Sequence, residues 1–128
     1  MRSSASELQV FENGEAAAGG AQIKGESIKK VVGDPDKPGM YSIILKVPPH
    51  TKIAAHFHPD DRIATVLSGS WNFGYGEKFD AKKLKALPPG SVYTEPAKQA
   101  HFAETGDEAA VVEIIGVGPS GTTYIDKK

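Results

Sequence analysis

Two histidines one residue apart, His56 and His58, open the stretch HFHPDDRIATVLSG, and a third, His101, opens HFAET further along. In an extended strand alternate side chains share a face, so His56 and His58 point one way and Phe57 the other. Their backbones then lie about 6–7 Å apart. Two imidazoles at that spacing can converge on one ion held about 2.0–2.1 Å from each nitrogen. Taken alone, the pair reads equally well as two surface histidines at a strand end. His101 changes the balance, because three of the four histidines in the chain then sit at strand edges that one barrel would bring together. Neutral imidazoles suit Zn, Cu, Fe and Ni, so the chemistry on offer is a divalent metal site (Fe, Zn, Mn, Ni or Cu). The chain has no cysteine, which removes thiolate zinc sites, disulfide scaffolds and cysteine nucleophiles.

The elements that must position these residues are strands. The 128 residues carry 14 Gly and 9 Pro, and between them lie short runs rich in Val, Ile, Thr and aromatics. That pattern predicts an all-β domain with strands over 41–47, 52–58, 62–69, 70–76, 91–96, 101–105 and 109–118. Turn signals stand between them at VPPH, HPDD, SGS, LPPG and TGDE. The spacing suits a sandwich or barrel. FDAKKLKAL (79–87) reads as a helical turn capping a loop before Pro88-Pro89. The polar, glycine-rich stretch 12–25 belongs to an N-terminal arm, so the expected division is an arm over 1–25 and one barrel over 26–128. Charge is mixed, with a formal net charge of -1, and no basic stripe points to nucleic acid. No apolar run approaches membrane-spanning length, so no membrane partner is expected. The compartment is open: cytoplasm, or export after loss of a signal segment.

The chain resembles the cupins. Their first motif reads G-x5-H-x-H-x3,4-E-x6-G; here His50 is followed after five residues by His56, Phe57 and His58, then Arg62 and Gly69. Their second motif reads G-x5-P-x-G-x2-H-x3-N; here stand Gly90, Pro96, Lys98, His101 and Thr105. The matching positions are His56, His58, Gly69, Gly90, Pro96 and His101. The departures are His50 for Gly, Arg62 for Glu, Lys98 for Gly and Thr105 for Asn. The resemblance implies a double-stranded β-helix, a small jelly-roll barrel, with one metal held by His56, His58 and His101 and a small-molecule ligand or substrate. It also implies a homodimer, joined sheet to sheet or by strand exchange. His50 and Lys98 fall at turn positions where φ is often positive, and histidine is among the residues tolerated there.

Arg62 holds the position of the family's carboxylate ligand. Arginine stays protonated and has no lone pair to offer a metal. Three readings follow. The site keeps three histidines with open positions, as in the family's thiol dioxygenases and diketone-cleaving dioxygenase. Alternatively Arg62 turns inward and orients an anionic substrate. Or the metal is lost and Arg62 pairs with Asp60, Asp61 or Glu95. A guanidinium about 5–6 Å from a divalent ion costs several kcal/mol at an effective dielectric of about 20, so an inward Arg62 needs a carboxylate or anion beside it. Glu95 and Glu104 are the candidates for a fourth ligand: strand parity puts Glu104 on the face opposite His101, Glu95 falls near the barrel mouth, no family motif stands behind either, and both are read first as paired or solvated. The aromatic wall candidates are Trp71, Phe73, Tyr75, Tyr93 and Phe102. If the face carrying Trp71, Phe73 and Tyr75 points outward, it is a dimer surface instead. The functional expectation is a metal-binding cupin, a dioxygenase-like metalloenzyme on a small anionic molecule. A non-catalytic ligand-binding cupin and a Lewis-acid isomerase or lyase are the alternatives.

Overall fold

The computed structural model describes Met1, Arg2, Ser4 and residues 25–125. The expected N-terminal arm therefore lies almost wholly outside the described residues. Ten strands follow in order: β1 Ser27–Val32, β2 Gly39–Val47, β3 Lys52–Phe57, β4 Arg62–Ser68, β5 Trp71–Tyr75, β6 Lys85–Leu87, β7 Val92–Glu95, β8 His101–Thr105, β9 Ala110–Gly118 and β10 Thr123–Tyr124. They form two five-stranded sheets, β1-β2-β9-β4-β7 and β10-β3-β8-β5-β6. All neighbouring strands pair antiparallel. This is the expected all-β jelly-roll. The helical-turn expectation over 79–87 resolves into a single 3₁₀ turn, Ala81–Lys83, capped by Asp80, followed by the edge strand β6. No helix among the described residues is long and apolar enough to cross a membrane.

Alternation along the strands makes the core. Tyr41, Ile43, Leu45 and Val47 of β2, with Val112 and Ile114 of β9, face Ile53, Trp71, Phe73 and Ala103 of the opposite sheet. Apolar side chains from both inner faces thus remove water from the space between the sheets, which is the main stabilising term for such a sandwich. Phe102 points the other way and is buried under Phe79 from the loop before the 3₁₀ turn. Gly69, the shared glycine after β4, has φ +83, and a Cβ there would run into the Ala109 carbonyl. Only glycine fits both constraints. His50 (φ 54) and Lys98 (φ 64) occupy the left-handed turn positions expected of them. His50 is largely exposed and stands 3.6 Å from Asp107, well away from the barrel interior.

Candidate metal centre

The barrel interior is where the three histidines meet. His101 at the start of β8 lies directly across from His56 of β3. Between Ile53 and His56 the pairing slips by one residue against β8. That bulge matters: without the extra residue, Ala55 would face His101. With it, both Ala55 and His56 are buried, and the strict alternation of β3 is broken at this one step. His58 follows just past the strand end and is also buried. The ring centroids are 4.4 Å apart for His56 and His101, 5.0 Å for His56 and His58, and 5.1 Å for His58 and His101. One ring nitrogen from each lies within 4.8 Å of the others.

Hydrogen bonds fix which nitrogens face inward. His56 donates from Nδ1 to the Ala54 carbonyl at 2.7 Å, and His58 from Nδ1 to the Gly121 carbonyl at 2.7 Å. A proton on Nδ1 leaves the Nε2 lone pair free, which is the state a metal requires. Nε2 of His58 and Nε2 of His101 are buried and have no hydrogen-bond partner. Burial first, then the neighbouring positive charge of His101, pulls the His56 pKa down to about 4. Burial and then Arg62 pull His58 down to about 3. Burial likewise lowers His101. All three rings are therefore neutral at pH 7. Buried polar atoms left unpaired are rare and costly, and two such nitrogens aimed at one space have the donor set of a metal site.

Arg62 opens β4, and its partner across the ladder is Glu95, the last residue of β7. Of the three carboxylates read as possible partners, Asp60 accepts from Tyr41 Oη and Ser120 Oγ, and Asp61 accepts from the Ala97 amide. Glu95 takes the guanidinium, with Arg62 Nε donating to Glu95 Oε1 at 2.8 Å. Both residues are buried. Glu95 thus sits inside the barrel and not at its mouth. Its Oε1 is 3.6 Å from His58 Nε2, and its Oε2 is 3.6 Å from His101 Nε2. Burial raises its pKa, but the Arg62 charge and then the histidines outweigh it and bring the carboxyl down to about 2. Burial lowers the Arg62 pKa and the Glu95 charge raises it, with a net upward shift. Glu104, three residues from His101, stays out of this group and is half-buried.

The remaining walls are apolar. Leu45, Ile53, Trp71, Phe73, Tyr93 and Ile114 line a free space of about 20 Å³, room for an ion or a water. Of the aromatic candidates, Trp71, Phe73 and Tyr93 line this space, whereas Tyr75 is partly exposed at the edge and Phe102 faces away. The face carrying Trp71 and Phe73 is therefore inward and offers no dimer surface. Trp71 Nε1 donates to Tyr93 Oη at 3.1 Å. Burial and then the Glu95 charge push the Tyr93 hydroxyl well up, so it stays protonated. Outside the wall formed by Phe73 and Tyr93 lies an open groove of about 520 Å³ bearing Lys83 and Lys85.

No protein-family profile and no curated protein matches this chain in sequence. Solved structures do match in fold. A sugar phosphate isomerase of the cupin superfamily from Silicibacter pomeroyi is 17% identical with a TM-score of 0.62, over 81% of this chain and 68% of that one. A chain from crystal structures of DMSP lyases is 18% identical with a TM-score of 0.61, over 73% of this chain and 47% of that one. The salicylate 1,2-dioxygenase of Pseudoaminobacter salicylatoxidans, solved with gentisate, is 11% identical with a TM-score of 0.66, over 82% of this chain and 30% of that one. The chain thus spans less than half the length of two of these three. Their reactions differ while the barrel is shared, so likeness of this kind speaks for fold and not for activity. With its two antiparallel sheets and inward histidine cluster, the chain folds as a small cupin barrel.

Proposed function

We propose that the protein is a mononuclear metalloenzyme in which His56, His58 and His101 hold a divalent ion and act on a small anionic organic molecule, with dioxygenase-type chemistry. The observation that carries this reading is the pair of buried, unpartnered nitrogens, His58 Nε2 and His101 Nε2, facing one small space. A bound ion would supply dioxygen activation or Lewis-acid polarisation of a carbonyl. The chain's own part is to keep the imidazoles neutral by burial, to set the tautomers of His56 and His58 through the Ala54 and Gly121 carbonyls, and to line the space with apolar walls. Arg62 and Glu95 offset one another's charge, so the ion's own charge stays available to draw an anion. Lys83 and Lys85 in the adjoining groove suit the same class of molecule.

The test is metal content by elemental mass spectrometry, on protein purified without a nickel column. Close to one ion per chain is expected for the wild type and none for the His56→Ala/His101→Ala variant. An empty wild type after incubation with Fe²⁺, Zn²⁺, Mn²⁺, Ni²⁺ and Cu²⁺ in turn would overturn the reading. Oxygen uptake with a panel of small carboxylates and enolates then separates dioxygenase chemistry from isomerase or lyase chemistry, which would turn over without oxygen.

We also propose a homodimer, through the outer face of the β1-β2-β9-β4-β7 sheet. Met40, Ile63, Leu67, Val92, Ile115 and Val117 are exposed, and strand parity puts all six on that face. An apolar sheet face of this kind is self-complementary across a twofold axis. Sedimentation should report a dimer, and Ile63→Lys/Val117→Lys should report a monomer. A monomeric wild type would dispose of the idea.

A further inference from the structure

The geometry points to Glu95 as a fourth metal ligand, delivered from β7, with Arg62 as the positioning residue that aims it. This rests on the metal-binding reading above. The group to explain is a carboxylate placed deep in a barrel, 3% exposed, beside two nitrogens that lack partners. His58 carries its proton on Nδ1, so its Nε2 has none to donate, and a carboxylate oxygen facing that lone pair across a buried gap calls for a cation between them. The Glu95 oxygens stand 3.6 Å from His58 Nε2 and 3.6 Å from His101 Nε2, one oxygen to each. Two donor atoms held about 2.1 Å from one ion at about 110–120° stand about 3.4–3.6 Å apart. The stand-off therefore has the dimensions of an ion between the carboxylate and both rings.

Arg62 completes the argument. It stands directly across the ladder from Glu95, and its Nε bonds to Oε1 at 2.8 Å. The guanidinium thereby fixes the carboxyl plane from the side away from His101 Nε2. An arginine that itself cannot bind metal thus sets a carboxylate from the neighbouring strand in place. Its planar fork suits this better than a lysine would.

The experiment uses Co²⁺ as the probe, with the full chain. Visible absorption reports the ligand set and coordination number of the bound ion, and competition with a chelator gives its affinity. Glu95→Gln keeps the shape of the side chain and removes its charge. It should still take up Co²⁺ through the three histidines, with affinity lower by about tenfold or more and with a changed spectrum. Because Glu95→Gln leaves Arg62 buried without its counter-charge, Arg62→Gln/Glu95→Gln is measured beside it and should show the same spectral change in a folded protein. Arg62→Lys should keep a spectrum closer to wild type than Arg62→Gln does. An unaltered affinity and spectrum in both Glu95 variants would overturn the assignment while leaving the three-histidine site standing. A wild type that takes up no Co²⁺ would overturn both.

Discussion

Removing the metal should lower the melting temperature by about 10–20 °C, and the His56→Ala/His101→Ala variant should show no such drop. A ligand that binds only the folded chain stabilises it by RT ln(1 + [L]/Kd), about 4 kcal/mol at a thousandfold excess over Kd. In a domain of this size each kcal/mol moves the midpoint by about 3–5 °C. The preformed, neutral histidine cluster makes such an affinity reasonable, because little has to reorganise when the ion arrives. Thermal scans with and without chelator measure the difference. A wild type indifferent to chelator and to every added divalent ion would sink the metal reading and leave a ligand-binding barrel. Acid gives a second handle on the metal-free protein. The folded-state pKa values of His56, about 4, and His58, about 3, lie below the 6.5 of a solvated histidine. Between those limits the unfolded chain binds protons that the folded chain refuses. Stability is therefore fully present above about pH 6.5 and falls as the pH drops toward 4, by about 1.4 kcal/mol per pH unit for each histidine involved.

Much of this site is visible in the residues alone, and the part that is not has a physical reason. His56 and His58 share a face by strand parity, and His101, at the matching position of the second cupin motif, turns that pair into a legible cluster. His50 and Lys98 are legible too, since each stands at a turn position where the motif has glycine, and both take positive φ. The bulge in β3 is not, because one extra residue between Ile53 and His56 leaves no mark in composition or period. It nonetheless decides that His56 and not Ala55 faces His101. Glu95 is legible only in part: the sequence offers it as one of three partners for Arg62 and places it near the barrel mouth, not deep inside. In VYTE the valine and threonine look at least as buriable as the glutamate, yet Val92 is 57% exposed and Glu95 3%. A carboxylate defaults to the solvent side unless something inside compensates it. The compensating group, Arg62, is 33 residues away in sequence and adjacent only through the β4–β7 pairing. An arginine inside a metal motif shows that an inward charge needs a carboxylate beside it, but not which of Asp60, Asp61 and Glu95 supplies it. The edge strands β1, β6 and β10 are not legible for a different reason: β6 and β10 run only three and two residues, and β1 buries Ile28 alone, so none carries an alternation worth reading.

Arg62→Met should destabilise the metal-free protein by about 3–5 kcal/mol, whereas Arg62→Met/Glu95→Met should cost far less than the two single changes added together. A buried ion pair contributes little relative to well-packed apolar side chains, but breaking one half strands a charge where water cannot reach it. With Arg62 gone, Glu95 must either stay ionised in an apolar cavity or take up a proton. His58 Nε2 and His101 Nε2, each 3.6 Å away, offer a third route, since a protonated ring beside the carboxylate would replace the lost guanidinium. That escape lowers the cost toward the bottom of the range, and it carries a functional price of its own: a protonated imidazole has no lone pair for a metal. Arg62 therefore does two things at once, holding Glu95 ionised and keeping the histidines neutral; the second appears in its downward pull on His58. The measurement is urea unfolding of wild type, both single variants and the double variant in chelator at pH 7, read as a double-mutant cycle. Strong coupling, with the double variant near wild type, is the expected result. Simple additivity would mean that Arg62 and Glu95 meet in the barrel without depending on one another, and the ion pair would then have no part in preparing the histidines.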